Sequence, residues 1–213
     1  MSEEKNGIVI VDYGMGNLGS VKNMFKKIGY ETVVSSNPSD VTDAEKIVLP
    51  GVGAFDEAVK NLRSRGLFEA IERRVLDDGV PILGICLGMQ LLTRGSEEGR
   101  MEGFGFVDAY AKRFDFSQMQ DPLPIPHMGW NILHHQRETP LFSHMPPHER
   151  FYFVHSYAVE CEDMGDVLTT TSYGYEFVSS FGRGNVVGCQ FHPEKSHRFG
   201  MRLLENFVEE YPC

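Results

Sequence analysis

Val80-Pro81-Ile82-Leu83-Gly84-Ile85-Cys86-Leu87-Gly88-Met89-Gln90 is an apolar run that stops at a cysteine held between two glycines. A short uninterrupted apolar run after the turn signal Asp78-Gly79 is the pattern of a strand buried on both faces. Residues 89–95 supply good helix formers and end in glycine, which predicts a short helix. Cys86 then stands at a strand-to-helix turn. Gly84 and Gly88 remove Cβ atoms that would collide in so sharp a turn, the arrangement of a nucleophile elbow. An unassisted thiol, with a pKa of about 8.5, is mostly protonated at neutral pH. A helix N-terminus behind it favours the thiolate. The competing reading is a small buried hydrophobe, the ordinary fate of a free cysteine.

A second stretch, Gln190-Phe191-His192-Pro193-Glu194, decides between them. Residues 186–191 read as a strand. An extended backbone would carry His192 and Glu194, two apart, on one face. Pro193 lacks an N–H and belongs at a strand end. A carboxylate beside a histidine fixes its tautomer and raises its basicity, as a thiol's proton acceptor requires. Cys86, His192 and Glu194 are thus candidates for nucleophile, general base and orienter.

Outward from the cysteine, strands and helices alternate. Residues 7–11, 31–35 and 46–49 read as strands, and 17–28, 55–65 and 67–77 as helices. This alternation predicts a mostly parallel α/β sheet whose site lies at the strand C-termini. Gly14-Met15-Gly16-Asn17-Leu18-Gly19 is formally the dinucleotide fingerprint. That fingerprint expects an acidic residue closing the second strand, where Ser35-Ser36-Asn37 stands instead. A tight turn with Asn17 capping the helix fits better. In Pro50-Gly51-Val52-Gly53, two glycines around one residue leave the backbone free to turn N–H groups toward an anion.

With Gly84 to Gln90 and His192-Pro193-Glu194, the chain resembles the class I (triad) glutamine amidotransferases. Asp12-Tyr13-Gly14-Met15-Gly16-Asn17, Pro126-His127-Met128-Gly129-Trp130-Asn131 and residues 151–157 resemble, within that class, the glutaminase subunits of imidazole glycerol phosphate synthases. The resemblance runs almost end to end. It implies one amidotransferase domain over residues 1–213, with a flavodoxin-like fold whose central, mostly parallel sheet is flanked by helices and joined by extra β structure in the C-terminal half. It also implies L-glutamine as substrate and an oxyanion strand at Gly51, Val52 and Gly53. The N–H of Val52, after a peptide flip, and that of Leu87 would hold the tetrahedral oxygen. Substrate would be gripped by Gln90 and by the backbone of His155, Ser156 and Tyr157. The ammonia would pass to a (β/α)8-barrel partner docked near Asn17, Trp130 and Tyr152, and no cofactor is implied. His197-Arg198-Phe199-Gly200 and residues 101–109 also resemble paralogues that supply ammonia for amidino sugars. A non-catalytic docking subunit and a free-standing γ-glutamyl peptidase are the remaining alternatives.

Past the cysteine, residues 103–107 and 109–114 begin a β-rich half, and 115–126 read as a loop. A hairpin turning at 182–184 and a helix over 198–211 close the chain. His127, His134, His135, His144 and His148 match no zinc spacing, so no metal is expected. The formal net charge of −10 argues against a sequence-independent nucleic-acid binder. No apolar stretch approaches 18 residues. Cys86, Cys161, Cys189 and Cys213 show no paired spacing, which with a start lacking signal-peptide character fits reduced thiols in a cytoplasmic setting.

Overall fold

The computed structural model describes residues 7–211. Residues 1–6, read above for signal-peptide character, and Cys213 lie outside the described residues. The elements, in order, are β1 (Ile8–Val11), α1 (Leu18–Lys27), β2 (Val33–Ser35), α2 (Pro38–Thr42), β3 (Lys46–Gly51), α3 (Phe55–Ser64), α4 (Leu67–Leu76), β4 (Ile82–Cys86) and α5 (Leu87–Leu91). Then come β5 (Ala109–Arg113), β6 (His127–Ile132), β7 (His134–His135), β8 (Arg150–His155), β9 (Tyr157–Cys161), β10 (Val167–Tyr173), β11 (Tyr175–Arg183), β12 (Val186–Cys189) and α6 (His197–Glu209).

Strand residues point alternately to opposite faces, and both faces here are apolar. Val9, Val11, Ile47, Leu49 and Ile82 pack on one side with Phe55, Val59 and Leu62 of α3 and Phe68, Ile71 and Val75 of α4. Ile8, Ile10, Val48, Leu83 and Ile85 pack on the other with Val21 and Phe25 of α1 and Leu203, Leu204 and Phe207 of α6. Each large side chain removed from water in this way contributes about 1.5–3 kcal/mol.

The order β2-β1-β3-β4-β12-β11-β10-β7, with β9 and β5 joined through β11, makes a ten-stranded sheet. β2, β1, β3, β4 and β12 run parallel, and the remaining pairs are antiparallel. The result is a mostly parallel sheet extended by antiparallel strands. β6 and β8 form a separate antiparallel pair. β4 lies between β3 and β12, with Cys86 opposite Gly51 and Ile85 opposite Cys189. The topology therefore sets the oxyanion candidate on one side of Cys86 and the segment leading to His192 on the other.

Four local expectations are corrected. Residues 103–107 are not a strand, because the N–H groups of Gly103, Phe104, Gly105 and Val107 bond to Arg94, Leu91, Thr93 and Leu92 carbonyls around the end of α5. The helix after Cys86 begins at once with Leu87 and stops at Leu91, not spanning 89–95. Asn17 precedes α1 but makes no side-chain cap. The last hairpin pairs Arg183 with Val186, so it turns at Gly184-Asn185 and not at 182–184.

Candidate active site

Cys86 ends β4 with φ 55° and ψ −108°, a backbone conformation that non-glycine residues seldom adopt. Such a residue stores about 1–3 kcal/mol of strain, and the flanking glycines make the bend possible. A Cβ on Gly84 would lie 2.7 Å from the Gly88 carbonyl group, and one on Gly88 would run into the Leu49 carbonyl oxygen. These are backbone obstacles that no rotamer change relieves. Gly88→Ala is accordingly expected to cost about 3 kcal/mol, lowering the thermal midpoint by roughly 6–12 °C. Gly19→Ala, with nothing within 4 Å of the added methyl, should leave the midpoint unchanged or slightly higher. Circular dichroism melts check the pair, and equal midpoints would contradict the tight-elbow geometry.

The cysteine is 6 % exposed, and its sulfur lies 3.9 Å from the Val154 carbonyl and 3.7 Å from Gln190 Nε2. Gln190 Oε1 accepts in turn from Gln90 Nε2 at 3.1 Å, and the same Gln90 nitrogen donates to the Tyr157 carbonyl at 3.3 Å. Gln190 is thus a buried bridge between the thiol and the expected substrate-binding wall. It stands in the quoted 190–194 stretch, yet nothing in strand alternation singles it out.

His192 is buried, with Nδ1 2.7 Å from Glu194 Oε1. The contact arises differently from expectation. Pro193–Lys195 is a 3₁₀ turn, so it is a tight bend and not an extended strand that brings the side chains together. The turn is held by Ser196 Oγ, which donates to the His192 carbonyl and accepts from Tyr152 N–H, and by His192 N–H, which donates to the Tyr152 carbonyl. Burial opposes the imidazolium, but Cys86 and the Glu194 carboxylate outweigh it and raise the His192 pKa to about 9. Nε2 is buried without a hydrogen-bond partner and is the nitrogen left for proton transfer.

A cavity of about 320 Å³ opens over Cys86. Val52, Gly53, Leu87, Gln90, His155, Ser156 and Tyr157 line it, all expected site residues, together with Pro126, Val154 and Glu98. Gly51 lies just behind, buried at the end of β3, and His192 and Glu194 are also behind the wall. Glu98 escaped sequence reading because it sits in an irregular segment after α5. Its carboxylate accepts from the Phe55 N–H at 2.9 Å and is the acidic group on the cavity wall.

Beneath the cavity, His155 Nδ1 donates to the Tyr157 carbonyl at 2.8 Å, leaving Nε2 to accept from His127 Nδ1 at 3.2 Å. Asn131 Nδ2 approaches the other His127 nitrogen at 3.4 Å. Burial holds the pKa of His155 near 3 and that of His127 near 4, so both remain neutral. They brace the backbone of 155–157. Among the described residues no group of three or more His, Cys, Asp or Glu could hold a metal ion. Cys86, Cys161 and Cys189 are free, and no helix among the described residues is long and apolar enough to cross a membrane.

Trp130 and Tyr152 are directly opposite across β6 and β8, and Trp130 is 41 % exposed. Met128 and Ile132, on the same face of β6, are 62 % and 54 % exposed. Trp130 stacks on His197 at 5.5 Å between ring centres, with Arg150 over its ring. Asn17 is exposed on a different loop, before α1.

The sequence matches the family described as "Glutamine amidotransferase class-I" over residues 9–211. It is 48 % identical to "Imidazole glycerol phosphate synthase subunit HisH 2" of Methanococcus maripaludis, covering 95 % of this chain and 99 % of that one. The protein of the same name from Pseudomonas aeruginosa is 46 % identical, with 95 % and 98 % covered. The subunit HisH of Sulfurimonas denitrificans is 48 % identical, with 95 % and 97 % covered. Among solved structures, one described as a glutamine amidotransferase aligns with TM-score 0.74 at 20 % identity, over 95 % of this chain and 98 % of that one. PurLQS from Thermotoga maritima aligns with TM-score 0.74 at 17 % identity, over 98 % and 100 %. At such identities these two speak for the fold alone.

Proposed function

The chain belongs to the class-I glutamine amidotransferase family, and we propose that it is the glutaminase subunit of an imidazole glycerol phosphate synthase, with Cys86, His192 and Glu194 as its triad. The observation that carries this is the strained Cys86 at the floor of a glutamine-sized cavity, flanked across the sheet by Gly51 and by the buried His192–Glu194 pair.

His192 Nε2 takes the thiol proton, and Cys86 Sγ attacks the side-chain amide carbon of L-glutamine. The tetrahedral oxygen is held by the N–H groups of Val52 and Leu87, each such donor supplying about 3 kcal/mol to the transition state. The imidazolium returns its proton to the leaving nitrogen, ammonia departs, and a thioester remains. His192 then activates water, which releases glutamate and the free thiol. Glu98 faces the substrate ammonium, while Gln90 and the backbone of 155–157 fix the α-carboxylate end. The ammonia passes to a (β/α)8-barrel synthase partner, which uses it to form imidazole glycerol phosphate and an aminoimidazole carboxamide ribotide. No cofactor takes part.

The apolar stripe of Met128, Trp130 and Ile132 supports docking of that partner here, because exposed aromatic and methionine side chains are typical anchors. Trp130→Ala should weaken binding of the cognate barrel subunit by roughly 10–100-fold, as loss of a central aromatic anchor does. Calorimetric titration checks it, and an unchanged Kd would place the interface elsewhere. A second reading changes only the acceptor. His197, within the stretch resembling amidino-sugar paralogues, stacks on Trp130 at this face, so a different barrel could be matched. Glutamate release driven by a barrel that ignores the ribotide would favour it.

A further inference from the structure

Tyr13 is a buried polar residue for which the mechanism above has no use. Its side chain is fully buried, yet its hydroxyl has no hydrogen-bond partner. A buried hydroxyl left unpaired is disfavoured, so a position that served packing alone would be better filled by phenylalanine.

The hydroxyl is aimed at the oxyanion strand. A Cβ built on Gly51 would run into it, and would also lie 3.0 Å from Leu87 Cβ and 3.2 Å from Gly88 N. The loop before α1 backs this strand at three points. Besides Tyr13 on Gly51, Met15 Cε lies 2.5 Å from the Cβ position of Gly53, and the Cβ position of Gly16 is 3.4 Å from the Pro50 carbonyl. Burial, and after it the proximity of Cys86, keeps the phenol protonated at any working pH, so it is a permanent donor. In a planar trans peptide the carbonyl and the N–H point in opposite directions. A donor that captures the Gly51 carbonyl on the core side thereby aims the Val52 N–H toward the cavity, which Val52 lines.

We propose that Tyr13 is a positioning residue for the oxyanion strand, its hydroxyl donating to the Gly51 carbonyl when the Gly51–Val52 peptide turns and so holding the Val52 N–H toward the tetrahedral oxygen. This rests on the glutaminase reading above. In the orientation described here the hydroxyl is unpaired, so the captured orientation is the turned one. The motif residue then links the 12–17 loop to the chemistry without touching substrate.

The test is Tyr13→Phe in complex with the ribotide-loaded barrel subunit, compared with wild type in the same complex. The kcat for glutamine hydrolysis should fall about tenfold or more, with KM within about twofold, as expected when a donor acting in the transition state is misplaced. The thermal midpoint should be unchanged or higher, because no folded-state hydrogen bond is lost, and alkylation of Cys86 by iodoacetamide should keep its rate. A kcat within about twofold of wild type would overturn the inference. So would a loss of kcat accompanied by a lower midpoint, a raised KM or slower alkylation, any of which marks general disturbance. A wild-type complex releasing no more glutamate than Cys86→Ala would overturn the glutaminase reading itself; an active wild type with undiminished Tyr13→Phe overturns this inference alone.

Discussion

Cys86→Ala should abolish glutamine turnover, lowering kcat by about 10⁴-fold or more, because no other group at the cavity floor can form the thioester. Alanine keeps the Cβ and fills the strained position, and it gives up the weak contacts of sulfur with Val154 and Gln190 and its interaction with His192. The thermal midpoint should therefore move little. Glutamate release measured beside a melting curve checks both halves. Turnover persisting above the enzyme-free rate would remove Cys86 from the mechanism, and a collapsed fold would make the cysteine structural. Cys161 offers no replacement, since burial, with nearby Asp166 and Asp163, pushes its thiol up to about 12. Cys189 is wholly buried, and its thiol is pushed up as well, chiefly by burial.

Glu194→Gln should lower kcat by about 10²–10⁴-fold, the range set by losing the group that orients a catalytic histidine. The pH dependence carries the sign. The Glu194 carboxylate is among the groups that raise His192 toward 9, whereas burial pulls it down. Removing the negative charge leaves burial less opposed, so the imidazolium gives up its proton at lower pH. The alkaline limb of kcat/KM should move to lower pH in the variant. Since Cys86 and His192 titrate as a coupled pair, the limb belongs to both groups. A limb that stays in place, or moves upward, would show that Glu194 does not govern the histidine. Because the turn is tied to Tyr152 through Ser196 and glutamine keeps the size and an accepting oxygen of glutamate, the variant should remain folded.

The stretch around Cys86 was legible because a continuous apolar run, two glycines and a cysteine each constrain the backbone in the same direction. The alternation before it placed the parallel strands and the helices over them for the same reason: periodicity is a local signal of a global layer. Where hydrogen bonding overrode periodicity, reading failed. Residues 103–107 look like a strand but spend their N–H groups on the end of α5. Asn17 has the right chemistry for a cap, yet its backbone leaves the extended region. His192 and Glu194 were paired correctly for the wrong geometric reason, since spacing two apart serves a 3₁₀ turn beside a proline as well as a strand.

Gln190 and Glu98 were missed because their roles depend on partners 104 and 43 residues away. Neither distance leaves a trace in local pattern. Tyr13 was quoted within a motif but given no task, since only packing reveals that its oxygen occupies the side-chain position of Gly51. The exposed stripe on β6 needed the structure too, because strand alternation names a face without saying whether anything covers it.

The most direct measurement is glutamate release from L-glutamine by this chain alone, then with a cognate (β/α)8-barrel subunit, and then with that subunit loaded with its ribotide. The expected result is slow release alone that rises by orders of magnitude with the loaded partner and is lost in Cys86→Ala. Release no greater than that of Cys86→Ala under all three conditions would contradict the assignment.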